Sequence, residues 1–136
     1  MLMKESRISA YSVTGELLAL ADILCAIGEL VGCWRMIQFE GTSRADSSLN
    51  ILQLEHALDV SPQGIDYTWL ELISIARSVE QAIDLTIVLL DEVSRCVFVL
   101  EARDGTYWRV LCEESNHEAI AALGRVEMIK GVRIYR

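Results

Sequence analysis

Histidine is scarce in this chain: His56 and His117 are the only two among 136 residues, and neither has a second histidine or a cysteine three or four positions away. A histidine-based metal site is not signalled. The four cysteines, Cys25, Cys33, Cys96 and Cys112, include no CxxC pair, so a zinc ribbon or dithiol redox motif is not signalled either, and all four are expected to be buried reduced thiols. GxSxG, HExxH, P-loop and GxGxxG patterns are all missing. No catalytic residue, metal or cofactor is therefore expected, and an enzyme would need an unsignalled site, such as Glu55 and His56 acting with distant acids.

Long uncharged apolar runs are missing too. The most apolar stretch, Leu17 to Trp34, is interrupted by Asp22 and Glu29, short of the ~18 residues a membrane span needs. Met1 to Ser9 mixes Lys4, Glu5 and Arg7 with few apolar residues, unlike a signal peptide or an acid-free transit segment, so a cytoplasmic location is expected. Bases are nearly missing from the middle: between Glu40 and Glu92 ten acids stand against Arg44 and Arg77, which equals the whole net charge of −8. That segment would repel phosphate backbones, so nucleic acid is not an expected partner.

What is present is apolar. Hydrophobic residues make up 52% of the chain and mean hydropathy is +0.31, more than one small core readily hides, which suggests a homo-oligomer, most simply a dimer. The length suits one domain over residues 1–136.

Helical spacing of Leu17, Leu20, Ala21, Leu24, Ile27 and Val31 predicts a first helix from Thr14, as N-cap, to Leu30. Cys33 to Glu40 reads as a strand, Gly41 to Ser48 as a loop. Leu49 to Leu58 is ambiguous: Leu52 and Leu54 alternate with Gln53 and Glu55 as in a strand, the favoured reading, whereas Ile51, Leu54 and Leu58 fit a helix. Ser61-Pro62-Gln63-Gly64 predicts a type I turn. Thr68 with Glu71 forms a capping box opening a second helix that carries Leu72, Ile75, Ala76, Val79 and Ile83 on one side.

Leu85–Leu90 and Arg95–Arg103 then read as paired strands, and Asp104-Gly105 as a two-residue hairpin turn that pairs Arg103 with Thr106. In that register one face carries Val97, Val99, Val110 and Cys112, and the other Phe98, Leu100 and Leu111 with Arg109 among them. Cys96 and Cys112 then point to opposite faces. With both faces apolar, the hairpin is expected to be covered on both sides, by helices on one and by another layer or a second subunit on the other. A short helix from Ser115 to Leu123, stopped by Gly124, and a strand from Val126 to Tyr135 complete the chain.

The expected fold is α+β: an antiparallel sheet of five or six short strands, two main helices and a short third helix near the C-terminus. Glu16–Ala21 and Glu71–Ala76 share one pattern 55 positions apart, a weak sign of an internal repeat of residues 14–58 and 68–113.

Two functional classes compete. A non-enzymatic interaction domain, immunity- or adaptor-like in composition alone, would present Asp59, Asp66, Glu71, Glu80, Asp84, Asp91 and Glu92 to a basic protein partner. A small-molecule binding module would use Trp34, Trp69, Tyr107, Trp108 and Arg109 around a pocket between helices and sheet.

Overall fold

The computed structural model describes residues 2–135. Eleven elements run in chain order: β1 (Met3–Ser12), α1 (Leu20–Ile27), β2 (Cys33–Ser43), α2 (Ile51–Asp59), β3 (Ile65–Tyr67), α3 (Trp69–Ser78), β4 (Val79–Leu90), β5 (Cys96–Arg103), β6 (Tyr107–Glu113), α4 (His117–Glu127) and β7 (Val132–Tyr135). The seven strands form one antiparallel sheet in the order β3-β2-β4-β5-β6-β1-β7. The class is α+β, with more strands and one more helix than expected. No helix among the described residues is long and apolar enough to cross a membrane.

Cross-strand pairs define the two faces of the sheet. Trp34, Leu89, Phe98 and Cys112 stand in one row; Met36, Ile87, Leu100 and Val110 stand in the next; Phe39, Leu85, Ala102, Trp108 and Ile8 stand in a third. All are buried beneath Leu20, Ile23, Leu24 and Ile27 of α1, Leu72, Ile73 and Ala76 of α3, and Ala119, Ala122, Leu123 and Val126 of α4. Burying one large aliphatic side chain in such a layer contributes about 1.5–3 kcal/mol, so these rows fix which side of the sheet the helices take.

Several boundaries differ from expectation. Thr14 does not cap α1: Ser12 Oγ accepts from the backbone N–H groups of Thr14 and Glu16, and Leu18 N–H returns to Ala10 O, so the chain folds back along β1 first. The helix begins at Leu20, where Asp22 accepts from Ala19 N–H at 2.9 Å. Leu49 to Leu58 is not a strand. Asn50 accepts from Gln53 N–H at 3.1 Å and opens α2, which buries Leu54 and Leu58. The turn at Ser61–Gly64 forms, and so does the capping box of Thr68 and Glu71, but α3 ends at Ser78 and Val79–Asp84 belong to β4. Near the C-terminus Asn116, not Ser115, caps the helix, which runs through Gly124 to Glu127, so the last strand starts only at Val132.

The largest correction concerns the hairpin. Asp104 and Gly105 do take positive φ, +53° and +66°, and Thr106 N–H reaches Arg103 O. Yet Arg103 pairs with Tyr107, because Thr106 is an extra residue that turns its carbonyl to Ala10 N–H on β1. One added residue moves every β6 side chain to the opposite face. Val110 and Cys112 therefore join Phe98 and Leu100 in the core, and Leu111 and Arg109 join Val99 on the other side. Cys112 is the one buried cysteine; Cys33 and Cys96 are half-buried, Cys25 is exposed, and all four are free, which corrects the expectation of four buried thiols.

Gly32 is required by geometry. Its φ is +142°, and a Cβ there would sit 2.6 Å from Leu90 O, where β2 begins beside the end of β4.

The caps give a direct test. Asn50→Ala and Asn116→Ala each remove a side-chain acceptor at a helix start and are expected to lower stability by about 1 kcal/mol. Urea unfolding should show a lower midpoint with an unchanged slope.

Candidate interaction surface

The helices cover one face of the sheet only. On the uncovered face, Asp66, Arg35, Val88, Val99, Leu111 and Glu5 form one row from β3 to β1. Gln38, Thr86, Glu101, Arg109, Arg7 and Tyr135 form the next row, from β2 to β7. The centre of this face is apolar and half-buried, and its flanks are charged.

Glu101 is the centre of the charged part, with a side chain only 7% exposed. Arg109 Nη1 donates to it at 3.1 Å, and Arg103 also pairs with it. Arg109 Nε reaches Glu5 at 2.6 Å, Arg7 donates to Glu5 at 2.8 Å, and the Arg7 guanidinium lies 5.7 Å from the Tyr107 ring centroid. The result is an alternating series across three strands: Arg7, Glu5, Arg109, Glu101, Arg103. A buried carboxylate costs several kcal/mol unless it is paired, and two guanidinium groups meet that need here. On the opposite flank Arg35 Nε bonds Asp66 at 2.6 Å. Hydrogen bonds from Arg7 and then Arg109 hold the Glu5 carboxyl below its usual range, and Arg35 does the same to Asp66.

A second feature lies at the outer edge of β2. Because β3 pairs only with Trp34–Met36, the rest of that edge faces α2, leaving a cleft of about 250 Å³ lined by residues 37–40 of β2 and by Glu55, Leu58 and Asp59 of α2. Its floor is apolar, Phe39 and Leu58 being buried, and its rim carries three carboxylates, none of which forms an ion pair among the described residues. Among the described residues no group of three His, Cys, Asp or Glu side chains converges as a metal ion would require.

The residues singled out from sequence are dispersed. The Trp34 and Trp69 rings meet tilted by 39° with centroids 5.6 Å apart, but Trp34 is buried and its Nε1 has no partner among the described residues. Trp108 is buried and donates to Leu18 O at 3.2 Å, while Tyr107 and Arg109 stand on the uncovered face. The five are not gathered around one cavity. Of the acids, Asp59 lines the cleft, Asp66 pairs with Arg35, and Glu71 caps Thr68 N–H. Glu80 is exposed on β4 and Asp84 accepts from Asp104 N–H. Asp91 and Glu92 occupy the β4–β5 turn, where Asp91 receives the Val93 and Arg95 N–H groups. His56 is exposed on α2 and lies outside the lining of the cleft beside Glu55.

Sequence reasoning missed Glu40 and Glu55 as cleft residues, and Glu5 and Glu101 as partners of Arg109. The available signal was Asn50, a helix-capping residue three positions before Gln53.

No family model, no curated protein and no solved structure matches this chain.

Two measurements check the electrostatics. Glu101→Gln replaces the buried charge between two arginines that are themselves 31% and 38% exposed and can rehydrate, so a loss of about 1–2 kcal/mol is expected in urea unfolding. Glu5, Asp66 and Asp91 all have lowered pKa values when folded. Their stabilisation is complete above the unfolded carboxylate range of ~4 and is lost as pH falls through and below it. Thermal melts should therefore be flat above about pH 5 and fall steadily below pH 4.

Proposed function

We propose that this protein is a non-enzymatic interaction domain that receives a basic protein partner at the acidic cleft between β2 and α2. The observation that carries the reading is the cleft itself: three carboxylates without ion-pair partners among the described residues, Glu40, Glu55 and Asp59, around a floor made by Phe39 and Leu58. A lysine or arginine side chain matches both parts, its aliphatic stem lying on the floor and its charged head meeting the rim. The surplus of acid between Glu40 and Glu92 supports the same partner chemistry, because it would steer a basic surface toward this side of the molecule.

Titration with a lysine-rich peptide, followed by backbone amide shifts, tests this. The shifts are expected to centre on Gln38–Glu40 and Glu55–Asp59 and to weaken as salt rises. Glu55→Lys with Asp59→Lys should reduce affinity at least tenfold. Peptide binding that survives this double reversal, or shifts confined to other surfaces, would overturn the reading.

A further inference from the structure

We infer that the uncovered face of the sheet closes on the same face of a second copy of this chain, about a two-fold axis running along β5. The strand order β3-β2-β4-β5-β6-β1-β7 puts β5 fourth of seven, with three strands on either side. A two-fold lying between two stacked sheets and parallel to β5 carries β4 over β6, β2 over β1 and β3 over β7.

The side chains in the rows are complementary under that operation. In the row Asp66, Arg35, Val88, Val99, Leu111, Glu5, Val99 meets Val99 of the partner subunit, Val88 meets Leu111 of the partner subunit, and Arg35 meets Glu5 of the partner subunit. An apolar centre of six side chains would form, closed at both ends by opposite charges. In the adjoining row Gln38 meets Arg7 of the partner subunit and Thr86 meets Arg109 of the partner subunit. The Glu101 carboxylates on the axis do not meet bare, since each is already engaged by its own Arg103 and Arg109.

Charge is divided across the axis in the same sense. On β3, β2 and β4 the acids Asp66, Glu40 and Asp84 stand against Arg35; Glu40 and Asp84 are direct cross-strand neighbours, a like-charge pair with no base between them. On β6, β1 and β7 the bases Arg109, Arg7 and Arg133 stand against Glu5 and Glu113. The two-fold places the acidic half over the basic half on both sides at once, whereas a two-fold perpendicular to the strands would set each strand on itself and acid on acid. Seven strands spaced ~4.8 Å apart span roughly 30 Å, and five residues at ~3.3 Å along each of the five inner strands give about 16 Å, with β3 and β7 shorter at the borders. The plane so bounded, roughly 480 Å² before side-chain relief is added, makes a contact toward the small end of the range around the ~800 Å² per partner of a standard interface. An axis along β5 sets the two central strands parallel, within the ~30° spread of aligned sheet packing.

Sedimentation velocity on the full chain is expected to give a particle twice the 15.2 kDa chain mass. Val99→Arg, which sets two positive charges against each other at the axis, should return the single-chain mass with an unchanged circular dichroism spectrum and no loss of binding of the lysine-rich peptide at the cleft. Val99→Cys, where the introduced thiol meets its own copy, should give a covalent dimer on mild oxidation well beyond the level of the parent chain with its exposed Cys25. A single-chain mass at high micromolar concentration overturns the proposal, as does a dimer that persists in Val99→Arg. Should that variant fail to fold, Val99→Cys that cross-links no more than the parent overturns it alone.

Discussion

The backbone between Arg103 and Tyr107 holds one residue more than the tightest hairpin needs, and that residue, Thr106, gives its carbonyl to Ala10 of the neighbouring strand. Because side chains alternate along a strand, this one residue decides that Trp108, Val110 and Cys112 turn toward the helices while Arg109 and Leu111 turn away. Everything on the uncovered face follows. Arg109 comes beside Glu101 and Glu5, the carboxylate of Glu101 is buried without being orphaned, and an apolar centre of Val88, Val99 and Leu111 is left between charged flanks.

The same alternation links local structure to the acidic cleft. β3 is only three residues long, so β2 loses its strand neighbour after Met36 and the register shifts at Ile37. α2 takes the vacated side, held there by Leu54 and Leu58, and brings Glu55 and Asp59 opposite Glu40. The cleft is thus a consequence of a sheet edge that stops early, and its charge comes from residues no closer in sequence than fifteen positions across the two elements. α1 and α4 are tied to each other by a side chain: Arg125 of α4 donates to the Ala26 and Ile27 carbonyls at the end of α1, which has no basic residue of its own in its last turn.

Elements whose signals are local and chemical were legible in the sequence. Thr68 and Glu71 announced α3, the alternating runs around Asp104-Gly105 announced a hairpin, and Ser61–Gly64 announced a turn. β1 was not legible, because of its inward positions Ser6, Ile8 and Ala10 only Ile8 is a large apolar residue, which gives little apolar contrast against Lys4, Glu5 and Arg7. α2 was misread since Leu52 and Leu54 alternate with polar residues, although Leu52 is in fact exposed and the helical spacing of Ile51, Leu54 and Leu58 is the one that meets the core. With β1 unseen and Thr106 counted as a strand residue, Arg109 had no visible partner. The cleft could not be assembled while its second wall was taken for a strand.

Both lateral borders of the sheet are short: three residues in β3 at one side and four in β7 at the other. Few backbone donors and acceptors are therefore open to an incoming chain along either border, which guards against fibre growth by strand addition. The proposed pairing of the uncovered face with its own image, between borders this short, would finish at two copies.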